Sequence, residues 1–269
     1  MEKSKIKMEV ITSKSNPKIV DAKKLLEKKY RDKTNLFLVE TKKVIFEALQ
    51  CGLNIKFLFV QEDKQSELNN FDSNVDNNKI FIVSKSVFKE LSSVVSPDGY
   101  VAVFEKPISK KEYLGGRFLI LDNLQNPDNF GAILRTALAS NFTQIFVINS
   151  VDEFSPKVIR ASMGNQFKLK IIQINYDEVP KLFLSAKLYV MSMEGKNLFE
   201  IDSFCENIGF VIGNEGNGVS QFLKDMATET LSIPMENNVE SLNASVSASI
   251  VMYHIYSKDI KKQWKMIVF

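Results

Sequence analysis

Histidine is almost missing from this chain: His254 is the single one among 269 residues. That removes the commonest ligand of transition metals and leaves a histidine-based metal site nearly excluded. His254 lies in Ile250-Val251-Met252-Tyr253-His254-Ile255-Tyr256 and reads as a packed or interface residue. Cysteine is almost as scarce. Cys51 and Cys205 stand far apart, in no metal-like spacing, and two such residues make no disulfide framework. A reduced, cytoplasmic protein is the natural expectation. No apolar run approaches the roughly 18 residues of a membrane span. Met1 to Glu9 alternates charge without an apolar stretch, so it is not a secretory signal.

Net charge is also small, +3, but it is unevenly placed. Residues 1–43 carry 13 Lys and Arg against 6 Asp and Glu, an excess of seven positive charges. Residues 44–116 and 117–269 each carry two more acids than bases. A basic front end on a near-neutral body suits a polyanion such as nucleic acid. A solvated helix surface has the same composition, and the charge count alone leaves both readings open.

Apolar residues make up 45% of the chain, enough for proper cores in one large domain or two ordinary ones. Pro17 to Arg31 has apolar Ile19, Ala22, Leu25 and Leu26 at helical spacing, with lysines on the other side. Leu36–Val39 reads as a strand and Thr41 to Cys51 as a helix ending at Gly52. Phe57–Val60, Ile80–Val83 and Val101–Phe104 are further strands, and Asn69 to Asn78 is a polar loop. This alternation describes a small α/β domain over residues 1–106. Residues 107–116, with Pro, Ser, Lys and a Gly-Gly pair, form the expected linker. Over 117–269 come Phe118–Leu121, Ile145–Ile148, Leu188–Met191, Ile208–Ile212 and Leu231–Ile233. Short apolar runs separated by helix-length segments predict a parallel sheet buried on both faces. A terminal helix is expected from Ala244 to about Lys258.

Three polar stretches interrupt this pattern where an apolar strand meets a helix. They are Asn126-Pro127-Asp128-Asn129-Phe130-Gly131 running on to Arg135, Gly213-Asn214-Glu215-Gly216-Asn217-Gly218, and Ser241-Leu242-Asn243-Ala244-Ser245. Open α/β sheets place ligands at such junctions. Glycines at 213, 216 and 218 would suit a phosphate cradle. Their order is not that of a dinucleotide fold, and Val219 stands where an ATP-binding loop needs lysine. Glu215 would repel a phosphate and would accept a cationic ligand or an arginine partner. Arg135 follows Asn129 by six residues on a helix expected to start near Asn129 or Phe130, one to two turns away. Ser241 and Asn243 would also serve as ordinary helix caps.

In this order the three stretches resemble the signature motifs of the SpoU (TrmH-like) RNA ribose methyltransferases of the SPOUT superfamily. The resemblance covers residues 117–257 strongly and the first hundred loosely, where Asn35 to Val60 resembles the family's ribosomal-protein-like RNA-binding domain. It implies an α/β protein with a C-terminal parallel-sheet domain tied in a trefoil knot, S-adenosylmethionine as cofactor, and a homodimer. It implies that Arg135 is the key catalytic residue, with Asn129, Glu215, Ser241 and Asn243 in the catalytic set. It places Gly213, Ile233 and Leu242 on the cofactor. Arginine normally stays protonated, with a pKa above about 12, so it acts either as a base in an unusual environment or by stabilising a developing alkoxide. The sequence leaves that choice open. Lys157 and Arg160 are candidate phosphate contacts, and equally candidate surface charges. The implied activity is 2′-O-methylation of RNA, ribosomal RNA before transfer RNA. The rivals are a non-catalytic RNA-binding assembly factor and a nucleotide-binding enzyme using Gly213–Gly218.

Overall fold

The computed structural model describes residues 9–70, 75–237 and 239–267. The chain divides into two units. One holds the residues up to Pro107 together with Phe154–Arg160; the other holds Ile108–Glu153 and the residues from Ala161 onward.

The first unit runs β1 (Val10–Ile11), α1 (Pro17–Lys24), α2 (Lys28–Thr34), β2 (Leu36–Glu40), α3 (Lys42–Gln50), β3 (Ile55–Gln61), β4 (Ile80–Val83), α4 (Lys85–Leu91) and β5 (Tyr100–Glu105). Its sheet has the order β1-β4-β3-β5-β2. β1, β4 and β3 are parallel, and β5 runs against both β3 and β2. Ile19, Ala22 and Leu25 of the α1 region and Val87, Phe88 and Leu91 of α4 pack on Leu38, Phe59, Val83, Val101 and Val103.

The helix expected over Pro17 to Arg31 is two helices. α1 starts where Asn16 Oδ1 accepts from Lys18 N–H, with Pro17 at the first position. Beyond Leu25 the ladder stops, because the buried Arg31 folds back and donates to the Leu25 carbonyl at 2.7 Å. The polar Asn69 to Asn78 stretch is not all loop: a 3₁₀ segment spans Glu62–Asn70, another Asn77–Lys79, and residues 71–74 lie outside the described residues.

Phe154 joins this unit through its ring, 4.7 Å from Phe37. Arg160 donates to Ser93 Oγ at 2.6 Å and lies 3.6 Å from the buried Glu40 carboxylate, which also accepts from Ser92 and Ser93 hydroxyls. Arg160 is therefore committed to an internal acid, not held free for phosphate.

The second unit contains β6 (Arg117–Asp122), α5 (Pro127–Ala139), β7 (Gln144–Ile148), the end of α6 (Pro156–Ser162), β8 (Lys170–Gln173), α7 (Val179–Leu182), β9 (Lys187–Asn197), β10 (Ile208–Ile212), α8 (Gln221–Met226), β11 (Glu229–Ser232) and α9 (Ala244–Ile267). All six strands are parallel, in the order β11-β9-β10-β6-β7-β8. Alternate residues face opposite sides of the sheet. Phe118, Ile120, Phe146, Ile148, Val190 and Val211 form one core with Phe183 and Leu223. The intervening Leu119, Leu121, Ile145, Val147 and Phe210 are equally buried, as are Phe130, Ile133 and Leu134 of α5 and Val251, Met252 and Ile255 of α9. Burying one such side chain contributes about 1.5–3 kcal/mol.

β8 is absent from the sequence-derived strands, since Lys170 and Gln173 flank only two apolar residues. As an edge strand it needs little more. The terminal helix continues to Ile267, past the expected Lys258.

Candidate active site

The parallel sheet reverses its winding between β6 and β10. From β6 the chain adds β7 and β8 on one side, then returns to build β9, β10 and β11 on the other. Leu121 pairs with Ile212, so Asp122 and Gly213 emerge side by side at the carboxyl edge. That is a topological switch point, where a crevice opens for a ligand.

α5 begins at Pro127, two to three residues before the expected start near Asn129 or Phe130, because Asn126 Oδ1 accepts from the Asp128 and Asn129 N–H groups. This cap buries Asn129 with 8% of its surface exposed. Its amide then joins the other two polar stretches. Asn129 Nδ2 donates to Glu215 Oε1 at 2.7 Å. Asn243 Nδ2 donates to Asn129 Oδ1 at 2.9 Å. Asn243 Oδ1 accepts from Ser245 N at 2.9 Å and Ser245 Oγ at 2.7 Å. Asn243 thus caps α9 with its oxygen and meets Asn129 with its nitrogen. Thr136, about two turns along α5 from Asn129, meets Ser249 of α9 at 3.2 Å between hydroxyls.

The glycine stretch closes on itself. Asn214 and Gly218 exchange two backbone hydrogen bonds, of 3.0 and 2.9 Å. A Cβ on Gly213 would lie 2.3 Å from the Gly218 carbonyl carbon, so only glycine fits there. Gly218 has φ +67°, in the left-handed region. Asn214 Oδ1 accepts from Gly216 and Asn217 N–H, and its Nδ2 donates to the Asn123 carbonyl.

Two further residues fasten this loop, and the sequence motifs do not include them. Asp122, 1% exposed, accepts from Ser220 N–H through Oδ2 and from the Tyr176 hydroxyl through Oδ1, both at 2.7 Å. Burial first, then the Asp122 carboxylate, raises the Tyr176 pKa, so the phenol stays a donor. The only signal in the sequence is an acid at the end of an apolar strand.

Not every candidate joins the cluster. Arg135 is exposed and makes no hydrogen bond or ion pair among the described residues. Six residues along a helix carry it about 9 Å from Asn129 and about a third of a turn off its face. The expected one-to-two-turn spacing therefore does not bring it to Asn129 within one chain. Ser241 is exposed and likewise without a described partner. Leu242 is half-buried beside Asn243, and Ile233, half-buried, follows the last residue of β11 instead of closing the strand. Asn238, in the Asn-Asn step before this stretch, lies outside the described residues. No group of three metal-ligating side chains exists among the described residues.

The cluster is uncharged except for Glu215, and it offers amides, a carboxylate and a closed backbone loop. Such a site binds and orients; it lacks the paired carboxylates or nucleophile-base pair of hydrolytic chemistry.

The model of the SpoU rRNA Methylase family matches residues 116–253, and that of an MRM3-like substrate binding domain matches residues 16–102. The 23S rRNA (guanosine(2553)-2′-O)-methyltransferase RlmP of Bacillus subtilis is 28% identical over 251 residues, covering 92% of this chain and 99% of that protein. A crystal structure of an AdoMet-bound rRNA methyltransferase from Sinorhizobium meliloti superposes with a TM-score of 0.82 at 25% identity, over 93% of this chain and 98% of that one. An RNA 2′-O ribose methyltransferase structure gives 0.79 at 28% identity, over 94% and 100%.

Proposed function

The chain belongs to the SpoU rRNA Methylase family, and from that premise we propose that it methylates a ribose 2′-hydroxyl of ribosomal RNA with S-adenosylmethionine. The observation that carries this is the hydrogen-bonded line Glu215–Asn129–Asn243, which ties all three polar stretches together at the switch point.

The residues present fit the cofactor. Gly213–Ser220 closes through its own backbone and carries one charge, the acid Glu215. A carboxylate suits a sulfonium cation and opposes a phosphate. Gly213, Ile233 and Leu242 would hold the cofactor by main chain and apolar packing. When bound, it supplies an electrophilic methyl group.

The chain's residues do the rest. The ribose oxygen must lose its proton as it attacks. The exposed Arg135 guanidinium is available to stabilise the developing alkoxide and to clamp a neighbouring phosphate. Asn129 is fixed between Glu215 and Asn243, so its amide cannot rotate. Ser241 and Asn243 orient substrate from the start of α9.

Arg135 faces away from the Asn129 cluster of its own chain. This supports a homodimer in which each site takes its arginine from the neighbouring subunit. We assign residues 1–106 to RNA binding, 117–269 to methyl transfer and 107–116 to their connection. The trefoil knot and a cytoplasmic location belong to the same reading; among the described residues no helix is long and apolar enough to cross a membrane.

Mapping ribose methylation on total RNA, with and without the protein, tests the activity. One 2′-O-methyl group lost from ribosomal RNA supports it. A loss confined to transfer RNA moves the substrate, and no loss at all defeats the assignment. Mixing Arg135→Ala with Gly213→Val subunits tests the shared site. Recovered activity requires one intact site per mixed dimer, and no recovery under confirmed subunit exchange rules sharing out.

A further inference from the structure

The basic excess of the front end is not where helical spacing alone would put it. Many lysines of the first unit meet an acid. Lys24 pairs with Asp21, Lys29 with Glu27, and Lys106 with Asp32. Lys42 and Lys64 share Glu67, with Asp63 and Asp98 close to Lys64.

One place differs. Lys14, between β1 and α1, lies 2.7 Å from Glu90 Oε1, and Lys23 of α1 lies 2.5 Å from Glu90 Oε2. Lys85 and Lys89 of α4 line the same open recess beside Lys14 and Glu90, with a cavity volume of about 500 Å³. Neither has an ion pair among the described residues. Glu62 accepts from the Lys85 backbone N–H at 3.2 Å. Two ammonium groups thus bond one carboxylate, and two more line the same recess.

We propose that this recess, lined by Lys14, Lys85, Lys89 and Glu90 with Lys23 held on Glu90, is a docking surface for the phosphate backbone of the RNA substrate, holding it without reading its bases. The inference rests on the reading of the chain as an RNA methyltransferase and locates the contact within it. Lysine is a compact point charge with no planar fork, and the recess lining has no aromatic or arginine to stack on a base. Glu90 pins two ammonium heads in place, so less side-chain freedom is lost when a phosphate arrives. Hydrogen bonds from Lys14 and Lys23 lower the Glu90 carboxyl pKa to about 2 and keep it an anchor for both ammonium heads. The surplus remains available to an anion.

The test uses the full chain and two RNA probes: deproteinised large-subunit ribosomal RNA and an unrelated structured RNA of similar length. Lys14→Gln, Lys85→Gln and Lys89→Gln are combined in one variant. Lys24→Gln, Lys28→Gln and Lys29→Gln form the control, three lysines close in sequence but outside the recess. The recess variant should bind both probes more weakly by a similar factor. The slope of log affinity against log salt should fall by roughly one unit per lysine removed. SAM affinity, kcat at saturating RNA and the nucleotide modified should stay unchanged. The control should move affinity less than about twofold. Unaltered affinity and slope in the recess variant, with wild type binding and methylating normally, overturns the docking surface and leaves the enzyme reading standing. A loss confined to one probe overturns backbone recognition in favour of base reading. A wild type that neither binds nor methylates RNA overturns both.

Discussion

The two sheets of this protein solve different problems. In the second unit every strand runs the same way, so every strand ends at one edge. Residues 86 and 114 positions apart in sequence therefore meet there, as Glu215, Asn129 and Asn243 do. In the first unit β5 runs against its neighbours, and strand ends fall on both edges. Its distinctive polar features are a buried acid, Glu40, and a lysine-lined recess on the helical layer. Convergence suits chemistry, which needs a few groups at fixed distances. A charged face suits docking, which needs charge over an area.

The largest expected effect breaks that contrast at its chemical end. Arg135→Ala should lower kcat by about 10²–10³-fold, the usual cost of one group on a developing oxyanion. Its exposure means that melting temperature and SAM affinity should hold. Single-turnover kinetics with saturating cofactor check this, and a near-normal rate would remove Arg135 from catalysis.

Gly213→Val comes next. Its side chain would enter the backbone of Gly218 and Val219, so the loop itself must deform. Overpacking of this kind costs about 1–3 kcal/mol, falling on the loop proposed to hold cofactor. Calorimetry should show SAM affinity falling steeply while circular dichroism stays native.

Much of the parallel half was legible, and the reasons are local. Ile208–Ile212 is an apolar run between Asn207 and Gly213, and its strand boundaries are those the sequence predicts. Gly213, Glu215 and Asn243 stand at junctions that periodicity marks. What stayed hidden depends on distant partners. Nothing near Arg31 signals that it turns inward to Leu25 and splits a helix. Asp122 meets Ser220 and Tyr176 across 98 and 54 residues, with no motif to flag it. The lysines of α1 read as one stripe, yet Lys24 is paired on the helix while Lys23 reaches Glu90.

Asn129→Ala and Asn243→Ala sharpen the comparison at intermediate size. Losing the cap at Asn243 costs about 1 kcal/mol, and each substitution also strands the other's amide. A double-mutant cycle on denaturant stability should give a coupling within about 0.5–3 kcal/mol. That coupling should survive added salt, since it involves neutral amides.

The smallest effect lies in the recess and is salt-sensitive. The Glu90 carboxyl falls from an ordinary 4.5 to about 2 through its bonds to Lys14 and Lys23. Its ion pairs thus favour the folded chain above pH 4.5, and the benefit fades as pH drops through about 2. Glu90→Gln should lower the denaturation midpoint slightly at neutral pH, and the difference should shrink as pH falls toward about 2 and vanish below it. A difference that persists at the acid end would mean the glutamate acts by packing.

Asn243 spends its two amide atoms in two directions, the nitrogen on Asn129 and the oxygen on the first turn of α9. Fraying of that turn and disassembly of the cluster are therefore a single event. The Ser245 and Val246 amides, both bonded to Asn243 Oδ1, become reporters of it. Their hydrogen-exchange rates measure how often the site opens in the native protein, a local equilibrium separate from global unfolding. A ligand that closes the site should slow those two amides together, long before any change in overall stability is visible.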